Sequence, residues 1–201
     1  MISDKARFDK TIAQFDAVNA EDPNKETFEG KEYPKELLYA QRMGAMQQRF
    51  APDASEALQL ACRAQHIRRW DIPRDSYPMD KTGYFQWRTF LYKYHGETAG
   101  KIMKENGYDD ETIAKVQSLL RKEKLKLNPE TQALEDVVDL VFLQHYLDAF
   151  IAKYSSYEEE KLLDILRKTW KKMSEKGHEA ALKLDFTPEM LAVVKKALGA
   201  A

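Results

Sequence analysis

The sequence predicts an all-α fold, a single-domain helical bundle of about eight or nine helices over residues 1–201. Three observations predict it. Glycine (8) and proline (7) are scarce and sit where helices should start or stop. The Val/Ile-rich pieces carry helical spacing inside long segments without turn signals, so no strands are expected. Apolar residues make up 43% of the chain and charged residues 32%, enough to bury a sizeable core under a solvated exterior.

Each element has its own warrant. A first helix covers residues 4–20 and ends before Asp22-Pro23, and PNKETFEGKEY follows as a loop. A second helix starts near Pro34-Lys35 and stops before Ala51-Pro52. Asp53 or Ser55 caps a third, with Glu56 in its first turn where the helix dipole favours an acid. That helix runs through RAQHIRRW and ends before Ile72-Pro73, because the residue before proline avoids the α region. DIPRDSYPMD is a turn-rich connection. A long helix spans about Lys81 to Asn106, and Gly107 stops it. Asp109 or Asp110 opens the next, which ends in the basic run RKEKLK. Asn128-Pro129 begins the most apolar helix, about 130–153. SSYEEEKLLDILRKTWKKMSEK is a further amphipathic helix, and Thr187-Pro188-Glu189 starts a short terminal one.

The formal net charge is −1, so no global field draws the chain to nucleic acid or an anionic membrane, and any anion binding must come from local clustering. The single cysteine, Cys62, excludes an intrachain disulfide framework and a Cys-rich zinc site. The first residues are charged every few positions, and no window approaches the roughly 20 apolar residues a bilayer span needs. A cytoplasmic protein is expected.

Polar residues in apolar helices mark the candidate chemistry. In the 130–153 helix Leu134, Val137, Leu140, Val141 and Leu143 cover most of the circumference, yet Glu135, Asp136 and Asp139 lie among them. A buried carboxylate must be paired, metal-bound or protonated. In the helix carrying His66, Ala57, Leu60, Ala61, Ala64 and Ile67 form the apolar face, with His66, Arg63 and Arg69 opposite. That stripe is either surface or the wall of an internal polar pocket. The 81–106 helix repeats the pattern: Tyr84, Trp87, Leu91, Tyr94, Thr98 and Ile102 form the core stripe, and Arg88 and His95 flank it. Arginine forks at 63, 69 and 88 suit phosphate or carboxylate, and imidazoles suit a metal or proton transfer. His145 is expected to be structural and His178 to lie at the surface. The cluster Arg121, Lys122, Lys124 and Lys126 suits a helix C-terminus.

QHIRRW, IPR, YPMD, GYFQWR, LEDVVDLVFLQHY and LLDILRKTWKKMSEKG, in that order, resemble family 4202 of the domains of unknown function over about residues 5–185. That family is in turn distantly similar to HD-domain phosphohydrolases, in which His, a His-Asp pair and a later Asp surround a divalent metal. The resemblance implies His66 and Asp136, or Glu135, as metal ligands, with His95 as an extra one. It puts Gln41 in place of the first histidine and Ile67 in place of the paired aspartate. An amide and an isoleucine are poor substitutes for an imidazole and a carboxylate at a transition metal.

The expected function is therefore a metal-dependent hydrolase acting on a phosphorylated or other anionic small molecule. Its rivals are a non-catalytic HD-like module that binds a nucleotide or other anion, and a helical protein-interaction domain.

Overall fold

A computed structural model describes residues 2–153 and 159–199. Its contacts gather into two compact units, Met1–Leu134 and Glu135–Ala201. Ten α-helices are present among the described residues, with two 3-10 turns and one short hairpin.

In the first unit, α1 (Lys5–Asn19) begins at Asp4, whose carboxylate accepts the Arg7 N–H. The segment expected as a loop is a hairpin instead. β1 (Lys25–Phe28) pairs antiparallel with β2 (Lys31–Pro34) in the register Thr27 to Glu32 and Phe28 to Lys31. Its two-residue turn, Glu29-Gly30, has both residues at positive φ (49° and 74°), the geometry that matches the twist of the flanking strands. α2 (Lys35–Phe50) follows directly, buries Leu38, Tyr39, Met43 and Met46, and packs on α3 (Glu56–Ala64). α3 is capped by Ser55, which accepts the Leu58 N–H at 3.1 Å.

α4 (Lys81–Glu105) and α5 (Asp110–Leu120) lie against each other, and α5 also packs on α3. Gly100 permits the close approach: a Cβ there would stand 2.5 Å from Gln117 Nε2 and 3.1 Å from Ile113 Cγ2. The buried face of α4 differs from the expected stripe. Trp87 and Leu91 are buried as anticipated, but Tyr84 is exposed, and His95, Ala99 and Met103 take the interior. α5 ends at Leu120, before the basic run. Lys122, Lys124 and Lys126 there alternate into positive φ, which no helix sustains.

α6 (Pro129–His145) is shorter than the expected 130–153 helix, because Tyr146 breaks it ahead of α7 (Leu147–Ile151). Of the expected helix beginning at SSYEEEK, residues 154–158 lie outside the described residues. The rest forms α8 (Glu159–Lys172) and, after a break at Ser174, α9 (Glu175–Ala181). α10 (Pro188–Leu198) starts from a Thr187 cap and packs on α8 and α7. Leu140, Val141, Leu147, Leu163, Leu166 and Val194 form the core of this second unit.

Candidate anion-binding site

His66 owes its position to the early end of α3. The helix stops at Ala64 rather than running to Trp70, and residues 65–68 make a turn in which Arg68 takes φ 53°. A left-handed non-glycine residue costs roughly 1–2 kcal/mol. Several contacts offset this: the Arg68 N–H donates to Asn19 Oδ1 at 3.2 Å, and its guanidinium pairs with Asp71 at 2.7 Å. The turn carries His66 to the side of α2. There Nδ1 lies 3.1 Å from Glu36 Oε2, and the ring stacks on Tyr39 with centroids 4.0 Å apart. His95, from α4, stands 5.9 Å away, ring centre to ring centre, and donates from Nδ1 to the Ile67 carbonyl at 2.8 Å.

The charges around this pair are mostly positive. Burial holds the His66 imidazole well below its ordinary range, and Arg69, Lys122, Arg88 and Lys35 push it further down. Burial likewise brings His95 down to about 3, with His66 and Arg69 adding to the effect. Both rings are therefore neutral near pH 7. Glu36 is raised, because the cost of burying its carboxylate outweighs the attraction of Arg69 and Lys35.

Three arginines converge here without carboxylate partners among the described residues. Arg69 Nη1 rests 3.2 Å from His66 Nδ1 and 3.3 Å from Nε2, and its guanidinium lies 5.0 Å from the centre of the Trp87 ring. Arg74 faces the same ring and that of Tyr84, each at 5.9 Å. Arg88 lies 5.7 Å from the Tyr84 ring and 5.3 Å from that of Tyr92, and donates to both phenol oxygens. Aromatic faces orient a guanidinium without neutralising it. The arrangement can hold an anion; it also brings a carboxyl group, Glu36, to hydrogen-bonding distance of an imidazole.

Of the residues singled out from sequence, His66, His95, Arg69 and Arg88 share this neighbourhood. Arg63 does not belong to it. Its Nε and Nη2 close a two-point pair with Asp16 at 2.6 and 2.5 Å, so it ties α3 to α1. Gln41 is exposed, on the face of α2 away from buried Tyr39 and Met43. Asp136 is engaged inside the second unit: the Ser174 N–H and hydroxyl donate to its two oxygens at 2.8 and 2.6 Å. Glu135 and Asp139 both meet Lys172, at 2.7 and 3.0 Å. His178 is not a bare surface residue; it stacks on Trp170 at 4.2 Å and bonds its carbonyl. His145 closes the last turn of α6.

These donors do not fit a divalent metal. Among the described residues no group of three or more His, Cys, Asp or Glu side chains is placed to hold one. The Arg69 cation also sits against both nitrogens of His66, where a metal would need them. Sequence reasoning missed Glu36, Tyr39 and Arg74. Glu36 reads as a first-turn acid, and Arg74 lies in a turn-rich connection.

Away from His66, the outer face of α4 borders an open groove of about 930 Å³, lined by residues including Tyr77, Phe85, Phe90 and Arg121. No helix among the described residues is long and apolar enough to cross a membrane.

The family model for the domain of unknown function DUF4202 matches residues 9–194, and the chain belongs to that family. No curated protein and no solved structure matches it.

Proposed function

We propose that this protein binds a phosphorylated or otherwise anionic small molecule at the cluster of Arg69 and Arg88 beside His66, as a binding module in the manner of a metal-free HD domain. One observation carries the reading: Arg69 and Arg88 are partly buried guanidinium groups that face aromatic rings and a neutral imidazole instead of carboxylates. A partly desolvated cation without a counter-charge is costly, and a bound anion would relieve that cost.

The metal-dependent hydrolase is the weaker reading, since its proposed ligands Glu135 and Asp136 are engaged by Lys172 and Ser174. Thermal unfolding with added orthophosphate or sulfate, at matched ionic strength, tests the proposal. The melting temperature should rise with anion concentration in the wild type, and the rise should vanish in the Arg69→Ala, Arg88→Ala double variant. An equal rise in both proteins would sink it.

A further inference from the structure

We infer that the ligand of this pocket carries a condensed phosphate, two or more phosphoryl groups joined in a chain, and not a single phosphate or carboxylate. The inference rests on the anion-binding reading above and adds the ligand's charge and extent. A lone phosphate needs one or two guanidinium groups. Here three positive groups are linked through the rings they share. Arg69 and Arg74 lie 5.0 and 5.9 Å from the centre of the Trp87 ring, and Arg74 and Arg88 lie 5.9 and 5.7 Å from that of Tyr84, so shared rings link the three guanidinium groups. Lys35, exposed at the start of α2, adds to the positive field at His66.

The three arginines differ in what they still offer. Arg74 spends its donors on the carbonyls of Tyr77, Pro78 and Asp80, at 3.1, 2.8 and 3.2 Å, so it contributes charge more than hydrogen bonds. Arg69 has only the His66 ring beside Nη1, and Arg88 gives one N–H each from Nη1 and Nη2 to phenols, which leaves Nε–H and the second Nη hydrogens for a ligand. Two guanidinium groups with N–H donors to spare, and a third cation sharing a ring with each, suit a ligand with two anionic centres. Among the described residues Glu36 is the acid paired with His66, and one carboxyl group is too little to balance three guanidinium groups.

Isothermal titration of the full chain with orthophosphate, pyrophosphate and adenosine diphosphate, at one ionic strength, tests this. Pyrophosphate should bind at least about tenfold more tightly than orthophosphate, the difference one further charge-assisted contact supplies. Arg88→Gln and, separately, Arg69→Gln should each bring that ratio close to one. Each variant's circular dichroism and melting temperature establish that it is folded. Adenosine diphosphate binding more tightly than pyrophosphate would assign the condensed phosphate to an organic carrier, and weaker binding would assign it to the inorganic ion; either supports the inference. Equal affinity for orthophosphate and pyrophosphate overturns the inference and leaves the anion site standing. No binding of any of the three overturns both. A ratio unchanged in both variants overturns the inference by putting the binding elsewhere.

Discussion

His95 should make the folded state sensitive to mild acid. Its ring is 2% exposed, donates from Nδ1 to the Ile67 carbonyl, and has neighbours of like charge in Arg69 and, when protonated, His66. Burial takes it from an ordinary 6.5 down to about 3, while in the unfolded chain it returns to the ordinary value. The folded state therefore binds fewer protons, and stability present above pH 6.5 is lost as the pH falls toward 3. At 1.36 kcal/mol per unit, about 2 kcal/mol is lost by about pH 5 and about 4 kcal/mol by about pH 3. His66 acts in the same direction, and Glu36, raised, acts in the opposite one at lower pH. Comparison with His95→Asn, which keeps a donor near Nδ1, cancels both. Urea unfolding at about pH 7 and about pH 5 should show the wild type losing about 2 kcal/mol more than the variant. The His95 ring signals in a proton–nitrogen NMR titration should stay those of a neutral ring at pH 5. A His95 midpoint near 6, or identical losses in the two proteins, would refute the reasoning.

Two further outcomes separate scaffold from site. Arg63→Ala removes the partner of a half-buried Asp16 carboxylate, so it should cost about 1–3 kcal/mol in chemical unfolding yet leave stabilisation by phosphate intact; loss of the phosphate effect would return Arg63 to the anion site. Asp136→Ala strands the Ser174 N–H and hydroxyl at the start of α9, with an expected loss of about 1–3 kcal/mol and faster amide exchange over residues 174–178. Wild-type exchange there in the variant would show that Asp136 does not hold that turn.

The helices were legible where their ends carry chemistry. Ser55, Asp109, Asn128-Pro129 and Thr187 all mark starts that the structure keeps. The hairpin was less visible, because four-residue strands are too short for period-two alternation to stand out, although Glu29-Gly30 is a turn signal. The end of α3 was misplaced by six residues because no glycine or proline stands at 65–68. A left-handed arginine does the work there, held by Asn19, Glu21 and Asp71, and two of those lie over 45 positions away in the chain. The same distance hid half of the candidate site. His66, Arg69 and Arg88 stand out as residue types, but Glu36 becomes their neighbour only once α2 packs on α3. Asp136 illustrates the converse: a conspicuous acid in an apolar helix accepts the N–H and hydroxyl of Ser174, far along the chain, where α9 begins.

The left-handed turn at Arg68 also sets how freely this chain can change. Glycine would fit φ 53° without strain, and most exchanges toward easier backbone geometry are tolerated. At this position glycine would also delete the side chain that reaches Asp71 and Glu21, and the turn that aims His66 and Arg69 would loosen. Tolerance and aim are thus opposed at a single residue. Drift toward a more relaxed backbone at 68 would trade away the placement of His66 and Arg69 on either side of it.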